Sequence, residues 1–171
     1  MRLPEPSSVR VLLLDAGGVL VKPSFTRVAE ALASRGVAVE AKHLAAGKLV
    51  NLERPMRPDG RMGGHFVLGH VDCKGVLKAI RIDGEFWWIT VGFDAALAPY
   101  FIPKGSVAVD GISLTVATLR DDEFDVQIIP FTWDHTNLRA SQPGDGVNLE
   151  VDVIGKYVVR VAQLSGLVPE G

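Results

Sequence analysis

Apolar positions along this chain follow two rhythms. Val9 to Leu14 is a continuous apolar run suited to a strand buried on both faces, and Asp15-Ala16-Gly17-Gly18 predicts a loop at its carboxyl end. Val28, Ala31 and Leu32 then recur at helical spacing between a start at Pro23-Ser24 and a stop at Gly36. From residue 63 the pattern changes to short runs bounded by Gly, Pro and Asp. These predict strands over His65 to Val71, Gly75 to Arg81, Phe86 to Val91, Ser106 to Val109 with Ile112 to Leu119, Phe124 to Ile129, and Val147 to Val153. Asp83-Gly84 is a tight hairpin signal, and Trp87, Ile89 and Val91 alternate with Trp88 and Thr90 as a half-buried strand requires. Short helices fit around Ala95 to Phe101 and Thr132 to Arg139. Tyr157, Val158, Val161 and Leu164 give Gly155 to Gly166 an apolar helical face, which either covers a barrel end or mediates assembly.

Strands this short and evenly spaced close most simply into a barrel, because closure removes exposed edges. The expected fold is mainly β, a six-stranded closed Greek-key barrel preceded by a short βα fragment. Pro55, Pro58, Asp59 and Gly60 mark a connection between the two rhythms. The chain thus divides into residues 1–48, a linker over 49–62, a barrel over 63–154, and a terminal helix and tail over 155–171. Charge divides at the same place: residues 1–48 carry 7 basic and 4 acidic side chains, the remainder 11 and 16. A lone βα unit buries its strand poorly, so the first segment is expected to be a fragment of a larger fold that docks loosely on the second part or supplies a surrogate edge.

With 171 residues, 47% of them apolar, and a net charge of −2, the chain reads as an ordinary globular protein. Nucleic acid is not expected as a partner. The run from Val11 to Leu14 meets Asp15 far short of the roughly 18 apolar residues of a membrane span, so no membrane association and a cytoplasmic location are expected. Cys73 is the only cysteine. It forms no internal disulfide and builds no cysteine zinc site, and no metal site is expected.

Polar groups cluster at the ends of the apolar runs in Gly63 to Asp72, in Pro103-Lys104-Gly105 and in Val109 to Val116, where a barrel mouth would gather them around one polar ligand. Ser113 and Thr115, two apart, share one face of a strand. Each group also has a plainer role. His65 reads as structural rather than as a base; Lys104 fits a solvated turn; Asp110 before Gly111 shapes a turn. One of Trp87 and Trp88 points inward and the other out. Cys73 reads as an inert strand residue, and His135 as a residue that fixes the short helix after Phe131.

Two resemblances follow. Asp15-Ala16-Gly17-Gly18-Val19-Leu20 resembles the first motif of haloacid-dehalogenase-like phosphatases, in which an aspartate attacks a phosphoryl group, over about 40 residues. Gly17 stands where that family commonly has its second aspartate, and the later motifs are missing, so Asp15 reads first as a loop residue. Val50-Asn51-Leu52-Glu53-Arg54, Gly63 to Asp72, Pro103-Lys104-Gly105-Ser106, Asp110 to Val116, Ile129-Pro130, His135-Thr136-Asn137-Leu138 and Val147 to Asp152, in this order, resemble riboflavin synthase in its carboxyl-terminal lumazine-binding barrel.

This second resemblance implies a homotrimer of two-barrel chains. They convert two molecules of 6,7-dimethyl-8-ribityllumazine into riboflavin and a pyrimidinedione, with no metal or cofactor, at sites between barrels of neighbouring subunits. Of the two barrels only the second is recognisable here. Carried over by motif, His70, Val71 and Asp72 line the site. Ser113, Leu114 and Thr115 hold the heterocycle through backbone and hydroxyl groups, and Ile128, Ile129, Pro130, Phe131, Thr132 and Trp133 form the other wall. Lys104 matches a lysine presented to a substrate shared between subunits, and Asp152 an aspartate near the ribityl chain or reacting centre. His70, Lys104, Ser113 and Asp152 are the catalytic candidates. The acidic 7-methyl protons of the lumazine require a modest base and donors aimed at the developing carbanion, tasks that suit His70 and Lys104. Two expectations stand side by side: a transferase built from homo-oligomerised single barrels, and a module that binds lumazine or riboflavin without turnover.

Overall fold

In a computed structural model of the chain, the described residues are 19–21, 50–52 and 59–167. The strand expected over Val9 to Leu14, the loop after it and the helix from Pro23 lie outside them. Strand β1 (Val19–Val21) pairs antiparallel with β2 (Val50–Leu52), with Leu20 opposite Asn51.

The remaining strands are β3 (Cys73–Asp83), β4 (Phe86–Gly92), β5 (Ser106–Val109), β6 (Ile112–Leu119), β7 (Glu123–Ile128) and β8 (Gly146–Val151). They close an antiparallel barrel in the order β3-β4-β7-β6-β5-β8. The run β5-β6-β7 is joined by hairpins while β8 returns beside β5, which is Greek-key connectivity. Two tight turns set the registers. Gly84 (φ 61°) lies between Asp83 and its partner Phe86. Asp110 (φ 47°) and Gly111 (φ 81°) both take left-handed backbone between Val109 and its partner Ile112, the primed turn that suits strand twist.

Period-2 alternation fills the interior. Ile89 and Val91, Val107 and Val109, Phe124, Val126 and Ile128, and Val147, Leu149 and Val151 all project inward and form one core with Leu77 and Val116. Phe93 and Phe101, which flank the 3₁₀ turn Ala95–Tyr100, pack on Phe124 and plug one end. Trp87 packs against this core, while Trp88 lies outside under the Arg81 guanidinium, 4.8 Å from its ring centre. A register shift between Leu77 and Ala79 lets both Leu77 and Ile80 contribute to the core, against strict alternation.

The stretch expected as a strand over His65 to Val71 is not one. It runs as an unpaired strap across the outside of β6, β5 and β8, with Phe66 and Leu68 43% and 52% exposed. The barrel still has six strands because the Asp110-Gly111 turn divides the Ser106–Leu119 region into two. Helix α1 (Pro130–His135), a 3₁₀ turn (Asn137–Ala140) and helix α2 (Val153–Leu164) complete the fold near their expected places.

Candidate functional site

The barrel interior is filled by side chains, and the distinctive feature of the wall around them is a seam. Register between β6 and β7 runs from Leu119 opposite Phe124 to Val116 opposite Val126, and stops. Its continuation would set Thr115, Leu114 and Ser113 beside Gln127, Ile128 and Ile129, but no ladder pair forms there. Ile112 is the bonded partner of Val109 across the turn, and in an antiparallel pair successive residues direct N–H and C=O alternately toward and away from the partner. Ser113 and Thr115 therefore turn their main-chain groups to the open side. This edge offers donors and acceptors in a fixed row, as a flat heterocycle with amide-like edges requires.

The opposite wall begins at Ile129. Pro130 occupies the first turn of α1, where its missing N–H costs nothing. Ile128 belongs to the core, whereas Ile129 and Phe131 are 50% and 61% exposed. The His135 ring stacks on Phe131 (4.1 Å between ring centres), and its Nδ1 lies 2.7 Å from the Phe131 carbonyl oxygen. Trp133 stacks face to face on Trp87, with ring centres 4.8 Å apart and planes 5° apart. Thr136 donates its hydroxyl to the Thr132 carbonyl at 2.7 Å, which joins α1 to the 3₁₀ turn after it.

The strap lies over the outer face beside the seam. His65 Nδ1 is 2.8 Å from Ser113 Oγ. Gly64 approaches so closely that an added Cβ would fall 2.5 Å from the same oxygen, so glycine is required there for space. Burial pushes the His65 pKa below its ordinary value, and the charges of Asp152 and Glu150 pull it partly back. The ring is thus neutral near pH 7, free to share one proton with Ser113. Glu150, on the outer face of β8, is 2% exposed: Oε1 accepts the Leu68 N–H at 2.7 Å, and Oε2 has no partner among the described residues. His65 Nε2 is likewise buried without a partner among them.

The other expected residues divide between the seam and supporting tasks. His70 and Val71 lie on the strap between Leu68, bonded to Glu150, and Asp72, bonded to Leu149 and Val151, all three of β8. Asp72 accepts the Val151 N–H at Oδ2 and pairs through Oδ1 with Lys156 of α2 at 2.7 Å, pinning the end of the strap. Asp152 caps α2 by accepting the Ile154 N–H. Lys104 occupies the third position of a tight turn closed by the Gly105 N–H and the Ile102 carbonyl oxygen. Its φ of 65° would suit glycine at less strain. Its main-chain N–H bonds the Val116 carbonyl oxygen, which places it at the closed end of the seam. Cys73 begins β3, and burial raises its pKa. The sequence underrated His65, and it gave no role to Glu150 or Asn51. Only the strap's path over β6 and β8 reveals the first two. Among the described residues, no group of three or more His, Cys, Asp or Glu could hold a metal ion, and no helix is long and apolar enough to cross a membrane.

Residues 68–152 match the family model of the lumazine binding domain. The riboflavin synthase of Mycobacterium bovis is 45% identical over 127 residues, covering 72% of this chain and 63% of that protein. Those of Actinobacillus pleuropneumoniae (44%, 67% of this chain, 54% of that protein) and Bacillus subtilis (39%, 72% and 57%) are similarly related. The chain thus spans 54–63% of the length of these relatives. The barrel is shared with the solved structure of LumP complexed with riboflavin (TM-score 0.57, 21% identity, 64% of this chain and 60% of that one). It is also shared with LumP complexed with 6,7-dimethyl-8-(1'-D-ribityl) lumazine (TM-score 0.55, 19% identity, 64% and 58%). The chain therefore carries, over residues 68–152, a lumazine binding domain of the kind found in riboflavin synthases.

Proposed function

We propose that this protein is a riboflavin synthase-type enzyme that binds 6,7-dimethyl-8-ribityllumazine at the β6–β7 seam. It would move a four-carbon unit between two such molecules to give riboflavin and a pyrimidinedione. The observation that carries the reading is the unpaired edge at Ser113 and Thr115, where the β6–β7 ladder stops short of Ile129, within a domain 39–45% identical to riboflavin synthases. Main-chain N–H groups there receive negative charge as the 7-methyl group loses its proton, and the Ser113 hydroxyl, held by neutral His65, adds a donor beside them. His70 and Lys104 supply the base and a cation toward a second substrate molecule, and Asp152 stands near its ribityl chain. No cofactor or metal is needed, because the two substrate molecules are donor and acceptor of the same unit.

That chemistry needs two barrels, so the active form in this reading is a homo-oligomer. Ile154, Tyr157, Val161 and Leu164 support it: these exposed residues of α2 repeat at alternating spacings of three and four, the pattern of a helix seam. Residues 63–154 are then the binding barrel, 155–171 its assembly helix and tail, and 49–62 the connection to a distinct segment over 1–48. A second reading, a binding module without turnover, is favoured by the structural tasks of two catalytic candidates: Asp152 caps α2, and Lys104 shapes the turn closed by Gly105 and Ile102. Incubation of the full chain with 6,7-dimethyl-8-ribityllumazine decides. Riboflavin accumulating in proportion to protein supports the enzyme; a ligand fluorescence change without product supports the module; and no binding removes both.

A further inference from the structure

Where the β6–β7 ladder ends at Val116 and Val126, something else must hold the two walls of the seam at a fixed separation. A polar cluster lies at that open end. Asp110, at the turn that begins β6, accepts Asn137 Nδ2 at Oδ2 (2.9 Å) and the Asn148 N–H at Oδ1 (2.8 Å). Asn137 opens the 3₁₀ turn that follows the wall helix α1. Asn51, from β2 outside the barrel, completes the cluster. Its Nδ2 donates to the Asp110 carbonyl oxygen and to Asn137 Oδ1, both at 2.9 Å, and its Oδ1 accepts the Asn137 N–H at 2.9 Å.

We infer that Asn51 is a positioning residue for the seam. With Asn137 and Asp110 it forms a clasp that takes the place of the missing ladder, fixing the Ile129–Trp133 wall relative to the Ser113–Thr115 edge while leaving that edge's main-chain groups free. The inference rests on the reading that the seam holds the heterocycle. Side-chain amides suit the task because one asparagine satisfies a donor and acceptors on two elements at once. The clasp is also stiffly coupled to the wall. Asn137 follows Thr136, whose hydroxyl is bonded to the Thr132 carbonyl; Trp133 donates its N–H to the Ile129 carbonyl oxygen; and the Trp133 ring rests on Trp87. A shift at Asn137 therefore moves Trp133 against Trp87. Because Asn51 sits in β2, paired with Val19–Val21, the chain upstream of the barrel reaches the site through this side chain.

The test compares the parent chain with Asn51→Ala by two readouts: lumazine affinity from ligand fluorescence, and the circular-dichroism couplet of the stacked Trp87–Trp133 pair. The variant, which loses all three hydrogen bonds of the Asn51 side chain, is expected to bind about tenfold more weakly or worse. It should lose much of the couplet, while its unfolding midpoint falls by only a few degrees. If either readout stays at the parental value, the clasp is overturned. The couplet needs no ligand. A parent that fails to bind lumazine would sink the seam reading, and the couplet would still decide whether Asn51 holds the wall. If Asn51→Ala does not fold, Asn51→Gln, which keeps the amide but displaces it by one methylene, is judged by the same criteria.

Discussion

The two edges of strand β7 are held in opposite ways. Toward β4 it is zipped through six consecutive pairs, from Trp87 opposite Ile128 to Gly92 opposite Glu123. This joint is reinforced outside by the Thr90 hydroxyl of β4, which donates to Asp125 of β7 at 2.7 Å. Toward β6 the ladder covers only Phe124 to Val126, and side chains from three elements take over where it stops. A barrel gains stability from continuous ladders but offers a planar ligand nothing on them, since every main-chain donor and acceptor is taken. One seam left open in an otherwise closed wall separates the two tasks.

The largest effect comes from breaking the zipped side. Phe124, fully buried against Phe93 and Phe101, should cost about 3–5 kcal/mol when replaced by alanine, measured by urea unfolding; a loss below about 1 kcal/mol would mean the core does not depend on it. At the seam the sign of selectivity reverses. Gly64→Ala places a Cβ against Ser113 Oγ and should weaken lumazine binding about tenfold, with global stability changing by less than about 1 kcal/mol. Equal affinity in this variant would detach the strap from the site.

Lys104→Gly sharpens the contrast, because relief of left-handed backbone should raise stability by about 1 kcal/mol while any riboflavin formation falls. A variant neither more stable nor slower would give Lys104 no role beyond the turn. The smallest effect is a pH dependence. Burial lowers the His65 pKa from 6.5, so above that value both folded and unfolded chains are neutral at this residue. As pH falls below 6.5 the unfolded chain takes up a proton that the folded one refuses, and stability falls until the pH passes the lowered folded value. His65→Gln should flatten that part of the stability profile; parallel profiles for parent and variant would contradict it.

Local chemistry made much of the fold legible. The β5 and β6 limits follow from Asp110-Gly111, whose backbone demands are met by those two residue types. Phe66 and Leu68 misled because an extended strap alternates as a strand does; what distinguishes it, the absence of ladder partners, is a tertiary fact. The bulge after Leu77 and the premature end of the β6–β7 ladder are likewise matters of register between distant segments. Ser113, Leu114 and Thr115 were nameable from their motif, but that the ladder stops short of Ser113 and Thr115 was not. Glu150 and Asn51 escaped for the same reason: each acts through a partner some 80 residues away in the chain, Leu68 and Asn137 respectively.

Backbone amide exchange, residue by residue, reaches the seam most directly. Saturating 6,7-dimethyl-8-ribityllumazine should slow exchange at the Ser113 and Thr115 amides by about tenfold or more, leaving Ile89 and Val91 on the zipped side unchanged. Ligand that binds while those two amides exchange as before would place the heterocycle elsewhere and contradict the account.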